Sequence, residues 1–172
     1  MKILLLRFSS IGDIVLTTPV ARCLKKQLGA EVHFLTKKAF GPLLTPNPYI
    51  DRVFTFEKEI DEVLPLLKAE QYDLVVDLHH NLRSLRLKLA LGRPARSFDK
   101  LNLEKWLLVN LKINRLPDIH IVQRYLSTVA HLGVRYDGEG LDYFIPPEAE
   151  VVVSDFSALL SEGNYIAFVL GA

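Results

Sequence analysis

At 172 residues and 49% hydrophobic composition, the chain is long enough to bury a sizeable core and is expected to form one principal domain. A formal charge of +1 argues against wholesale nucleic-acid binding, the single cysteine, Cys23, excludes an intramolecular disulfide, and no apolar run approaches the ~20 residues of a bilayer-spanning helix. Only Lys2 precedes the first apolar run, which is too brief for a secretory leader, so the expectation is a cytoplasmic chain with Cys23 as a small core residue.

Ile3 to Leu6 is a continuous apolar run, the pattern of a strand covered on both faces. Ser9, Ser10, Gly12 and Asp13 then crowd into a polar turn. Apolar periodicity resumes at Ile14, Leu16, Val20, Leu24 and Leu28, a helical stripe ended by Gly29. The small hydroxyl side chains and Gly12 suit a sharp turn with accessible N–H groups, and Asp13 either caps the helix or stands ready as a base. A carboxylate is out of place in a phosphate-cradling turn, so this one suits activation of a hydroxyl better than binding of a pyrophosphate. Pro19 falls inside the stripe, where it either joins the first turns or kinks the helix.

Glu31 to Thr36 reads as a second strand, with His33 packed or on a face rather than ligating. Lys37 to Leu44 suits a short helix, Thr45-Pro-Asn-Pro48 a loop, and Arg52 to Phe56 a third strand. Glu57 to Ala69 carries acids early and Lys68 late, as a helix dipole favours, with Pro65 against its continuity. Asp73 to Leu78, through Leu74, Val75 and Val76, is a fourth and buried strand. This alternation predicts an α/β fold, a Rossmann-like doubly wound parallel sheet with right-handed crossovers. Ligands in such sheets lie beyond the carboxyl ends of the strands where strand order reverses, commonly between the first strand and the fourth. Ser9 to Asp13 and His79 to Ser84 are therefore expected to converge.

Between Arg83 and Lys105 stand seven Lys or Arg residues against only Asp99 and Glu104. Leu103, Trp106, Leu107, Val109 and Leu111, beside Lys105 and Lys112, form either a core-packing stripe or an amphipathic element suited to an anionic bilayer face. Pro117 to Gly133 reads as a helix with His120 and Arg124 on one face, reaching an acceptor phosphate or merely solvating the surface. Leu141 to Ile145 is strand-like, Pro146-Pro147 opens a segment to Gly163, and Tyr165 to Ala172 reads as another buried strand. No metal cluster is visible, and adjacent His79 and His80 cannot put both rings on one strand face.

Arg7-Phe-Ser-Ser-Ile-Gly-Asp-Ile-Val-Leu-Thr-Thr-Pro19 closely resembles the opening motif of the ADP-heptose:lipopolysaccharide heptosyltransferase family, inverting glycosyltransferases of the GT-B fold. The resemblance returns in Tyr72-Asp-Leu-Val-Val-Asp-Leu-His-His-Asn-Leu-Arg-Ser84 and continues weakly through His120 to Gly133. It implies that residues 1–163 are an N-terminal, acceptor-binding Rossmann-like domain, the N-terminal half of a GT-B fold. Residues 164–172 would begin a second domain that binds the nucleotide sugar, the chain being an engineered fragment or a truncated gene product, inactive alone.

The resemblance further implies Asp13 as the general base, no metal or cofactor, and ADP-heptose or another nucleotide sugar as donor. The acceptor it implies is an acidic lipopolysaccharide core sugar; the expected location is cytoplasmic, with peripheral contact at the cytoplasmic face of the inner membrane as the alternative that the basic, Trp-bearing stripe leaves open, and no nucleic acid is involved. Candidate acceptor-binding residues are Arg7, Ser9, Ser10, Gly12, His79, Asn81, Arg83 and Arg124, with Arg86 behind them, since guanidinium forks suit phosphate and carboxylate groups. Two alternatives stay open, a non-catalytic binding module and a Rossmann-type nucleotide-binding oxidoreductase. Against the second, the first turn lacks Gly-x-Gly-x-x-Gly and has Gly12 alone.

Overall fold

The apolar run that opens the chain becomes the middle of a sheet. In the computed structural model, whose described residues are 1–150, Lys2–Leu6 forms β1 with Ile3 to Leu6 fully buried. Successive side chains leave a strand on opposite faces, so Ile3 and Leu5 enter one core and Leu4 and Leu6 another. A strand covered on both faces needs no polar alternation.

After β1 come α1 (Ile11–Val15), α2 (Thr18–Leu28), β2 (Glu31–Lys37) and a 3-10 turn at Lys38–Leu43. Then follow β3 (Arg52–Phe56), a 3-10 turn at Ile60–Glu62, α3 (Leu64–Ala69), β4 (Leu74–Asp77), α4 (Leu82–Leu91) and β5 (Ala95–Ser97). Last are α5 (Asn102–Leu111), α6 (Ile121–Leu126) with its 3-10 extension Ser127–Leu132, and a 3-10 turn at Pro147–Ala149. The strand order is β3-β2-β1-β4-β5 and every pair is parallel. One face packs Val20 and Leu24 of α2 and Val122 and Tyr125 of α6 against Ile3 and Leu5; the other packs Leu67 of α3 and Leu87 of α4 against Leu4 and Leu6. This is the Rossmann-like doubly wound sheet that the alternation predicts, and its order reverses between β1 and β4. Cys23 is buried in the first core, where burial pushes its thiol up.

Prolines decide where expected helices break. The stripe from Ile14 to Leu28 is two helices, because α2 restarts at Thr18 with Pro19 in its first turn, where a missing N–H has no partner to lose. Pro65 acts alike, splitting the helix expected over 57–69 into the turn at Ile60–Glu62 and α3. The helix expected over 117–133 begins only at Ile121, so His120 caps it, accepting from the Val122 N–H at 3.3 Å, instead of sharing a face with Arg124. Leu141 to Ile145 forms no strand, and β5, which no apolar run announces, is a three-residue edge strand. The core-packing alternative for the stripe at 103–111 is not met among the described residues, where α5 has no buried residue and Leu107 and Leu108 are half-buried. The strand expected at Tyr165 to Ala172 and the domain boundary at 163 and 164 lie outside the described residues.

Two polar clusters fasten the sheet's surroundings. Buried Arg22 on α2 donates to Asp137 at 2.8 and 2.9 Å, to the Gly140 carbonyl at 2.9 Å, and to Asp142. The Asp142 N–H in turn donates to Thr18 Oγ1 at 3.0 Å. At the other end of the sheet, Glu31, His33 and Glu70 come together with ligand atoms within 4.8 Å of one another, a grouping the sequence does not reveal. The Lys2 ammonium, 2.7 Å from Glu70 and 3.3 Å from Glu31, is already the cation of that group. His33 itself is packed, with Nδ1 3.0 Å from the Tyr72 hydroxyl. Among the described residues no helix is long and apolar enough to cross a membrane.

Candidate active site

The turn after β1 is organised by a buried arginine. Arg7 Nε donates to the Ser9 carbonyl at 2.9 Å, and Nη1 donates to the Leu78 carbonyl at 2.6 Å and the Tyr125 hydroxyl at 3.3 Å. Its Nη2 meets Asp13 Oδ2 at 2.5 Å. One guanidinium thus ties the end of β1, the end of β4, α6 and the Asp13 carboxylate together. Arg7 stands behind Asp13 with nearly all of its donors engaged.

Asp13 is the third residue of α1 and closes half of a capping box. Its Oδ2 accepts from the Ser10 N–H at 3.4 Å and the Ser10 hydroxyl at 3.1 Å, so Ser10 donates to the carboxylate instead of accepting from the helix. All three contacts fall on Oδ2. Among the described residues Oδ1 accepts from none, and the side chain is 40% exposed. Partial burial pushes this carboxyl up, but Arg7 and the Ser10 donors outweigh it and hold the group below its ordinary range. The arrangement is an ionised carboxylate with one oxygen clamped and the other open to a proton. Capping and base chemistry are therefore not exclusive readings of Asp13. Gly12 is not demanded by the turn, for a Cβ there would meet nothing within 4 Å.

The facing turn, after β4, hangs on a residue the sequence reading missed. Asp77 is fully buried, and its Oδ1 accepts from the His79 and His80 N–H groups at 3.1 and 2.7 Å. Its Oδ2 accepts from the Ser84 hydroxyl at 2.7 Å and pairs with Lys88 Nζ at 2.8 Å. Burial pushes the Asp77 carboxyl up, but Lys88, the His80 amide and Ser84 more than reverse it. Asn81 caps α4, with Oδ1 accepting from the Ser84 N–H at 2.8 Å. An acid closing an otherwise apolar strand was the available signal.

Between the two turns lies a cleft of about 630 Å³ lined by Phe8, Ser9, Lys37, His79, Asn81, Leu82 and Arg83. Ser9, His79, Asn81 and Arg83 therefore meet as expected, and Lys37 joins them from the carboxyl end of β2. Lys37 and Arg83 are half-buried and have no carboxylate partner among the described residues; Arg83 lies 5.9 Å over the Phe56 ring. His79 packs on Phe8, and its Nδ1 is buried without a partner among the described residues. Burial first, then the charges of Arg7 and Lys100, bring its pKa down to about 4, so the ring is neutral at pH 7. Arg124 does not join them, as it donates to the Asp99 carbonyl at 2.8 Å and lies 5.0 Å over Phe98. A separate apolar groove of about 570 Å³, between Pro42, Pro46 and the segment Phe144 to Glu148, holds none of these side chains.

No protein-family model matches the chain. Over 146 residues it is 27% identical to lipopolysaccharide heptosyltransferase 1 of Campylobacter coli, a match covering 79% of this chain and 43% of that protein. Among solved structures, the glycosyl transferase family 9 protein from Veillonella parvula DSM 2008 superposes with a TM-score of 0.69 at 22% identity, over 86% of this chain and 45% of that one. E. coli heptosyltransferase WaaC with ADP gives 0.63 at 21% identity, over 83% and 50%. These two establish likeness of fold, and the chain spans about half the length of the relatives it matches. The similarities bear out the relationship that the opening motif suggests: the chain is related to the lipopolysaccharide heptosyltransferase family, over the N-terminal part alone.

Proposed function

We propose that this chain is the acceptor-binding part of an inverting GT-B glycosyltransferase that moves a heptose or related sugar from a nucleotide sugar to an acidic lipopolysaccharide core acceptor. The observation that carries the reading is the Asp13 carboxylate at the β1–β4 switch point, clamped through Oδ2 and open at Oδ1. In inverting transfer an acceptor hydroxyl attacks the anomeric carbon opposite the nucleotide. The new C–O bond forms, the bond to the nucleotide phosphate breaks, and the hydroxyl proton passes to Oδ1 of Asp13. A carboxylate held ionised by Arg7 is a weak base toward a neutral hydroxyl, so the proton moves late, as attack acidifies it.

Lys37 and Arg83 supply positive charge for a phosphate or carboxylate on the acceptor, and neutral His79 adds no repulsion for a sugar hydroxyl. The nucleotide sugar, ADP-heptose or a close analogue, is held by residues outside those described, and the acceptor is met at the cytoplasmic face of the inner membrane.

The test is titration calorimetry of the chain with a phosphorylated lipopolysaccharide core oligosaccharide, joined to a transfer assay of the same substitutions in a protein of the relatives' length. Asp13→Asn is expected to keep acceptor binding and lose at least about a hundredfold in transfer, while Arg83→Ala weakens binding about tenfold. Transfer that survives Asp13→Asn, or an acceptor that fails to bind the unsubstituted chain, overturns the reading.

A further inference from the structure

Helix α5 has the composition of an amphipathic helix and the burial of none. Of its ten residues not one is buried: Leu103 and Val109 are each 66% exposed, Trp106 and Leu111 each 54%. Ile113 and Ile119 continue the exposed apolar surface just beyond it. An apolar stripe at helical spacing normally faces a core, and this one faces outward.

Basic residues outnumber acids around it, four against Asp99, Glu104 and Asp118. Lys100, Lys105, Lys112 and Arg115 flank the stripe with no carboxylate partner among the described residues, and Glu104 is the helix's only acid. We infer that α5 docks this protein on an anionic phospholipid bilayer, lying in the plane of the interface with Leu103, Trp106 and Val109 in the acyl boundary and the basic residues at the headgroups. A helix of ten residues is about 15 Å long, half of what spanning requires, so it lies on the membrane and does not cross it. Trp suits that boundary because its ring is apolar and its N–H polar. An anionic bilayer supplies both partners the surface lacks, an apolar phase and a sheet of negative charge, whereas a protein surface would need carboxylates matched to each lysine.

Docking there also places the cleft. The Phe98 carbonyl, four residues before α5, lies 2.6 Å from His80 Nδ1, so the chain enters the helix from beside the turn after β4. A lipid-borne acceptor would then reach the cleft from the membrane on which the protein rests. The inference adds this docking element to the proposed function and is tested without any sugar.

Trp106 is the only tryptophan in the chain, so its fluorescence reports this surface alone. The 172-residue chain is mixed with phosphatidylglycerol vesicles and, separately, with phosphatidylcholine vesicles, and Trp106 emission and co-sedimentation are followed. The expected result is a blue shift and co-sedimentation with phosphatidylglycerol only, quenching of Trp106 by brominated acyl chains, and release by salt. Neutralising Lys105 or Lys112 should weaken partitioning about fivefold each. Leu103→Ser with Val109→Ser should abolish the blue shift while leaving the melting temperature unchanged, since neither side chain is in a core. No response to phosphatidylglycerol, or equal binding to phosphatidylcholine, overturns the inference. So does a protein of the relatives' length whose corresponding helix is already shielded from acrylamide without lipid, for its own chain would then be the partner. Failure of sugar transfer leaves the docking result standing, and failure of docking leaves transfer standing.

Discussion

The turn that follows β1 and the helix that follows β5 both leave the carboxyl edge of one sheet, and they are built in opposite ways. In the turn nearly every polar group is held by another, Arg7 alone binding three segments and Asp13, until a single carboxylate oxygen remains open. In α5 no side chain is buried, Leu107 and Leu108 are only half-buried, and the lysines beside it have no carboxylate partner among the described residues. The difference teaches how to read exposure: an open group in a fully satisfied surrounding points to a small reacting atom, while a whole open face points to an extended partner.

The contrast breaks most visibly if the satisfied side loses one member. Lys88→Met strands the Asp77 carboxylate without its cation inside the fold, and the expected cost is about 3–5 kcal/mol in urea unfolding. Equal stability of this variant would mean that the turn after β4 is not fixed as described. A smaller effect follows from His79, whose folded pKa of about 4 lies below its ordinary value of 6.5. Between those values the unfolded chain binds a proton that the folded chain refuses, so stability is intact above pH 6.5 and falls as the pH drops toward 4. The loss is roughly 1–3 kcal/mol, and melting temperatures of His79→Gln across that range should show a flatter slope. Smallest is the change on the open side: Leu103→Ser should shift unfolding by no more than about 0.5 kcal/mol. A loss above about 2 kcal/mol would mean that α5 packs on the body after all.

Much of this was legible in the residues and some was not. The buried strands β1, β2 and β4 announce themselves because a run such as Leu74 to Val76 suits a strand covered on both faces, and these three with β3, set apart by helices and turns, leave few topologies. Edge strand β5 is Ala-Arg-Ser, which carries no such signal, as it pairs through its backbone alone. Pro65 reads as an obstacle inside a helix and Pro19 as either a first-turn residue or a kink, and each in fact stands in the first turn of a helix. At the site, Asp13 could be found from its turn and Asp77 carries only the signal of an acid closing an apolar strand; Lys37 carries none, because nothing local says which strand ends meet, and register does. Periodicity named the apolar stripe of α5 correctly and was silent on which way it faces, since a helical wheel has no outside until neighbours are placed.

The Arg22 cluster has a mechanical consequence. Its two acids, Asp137 and Asp142, bind one buried guanidinium from both sides of Gly140. The Arg22 bonds hold the Asp137 carboxyl far below its usual range, so ordinary acidity does not loosen the grip. The loop from 137 to 142 is thus bolted to α2 at both of its ends, a long-range clasp that ties residues more than a hundred positions apart in the chain.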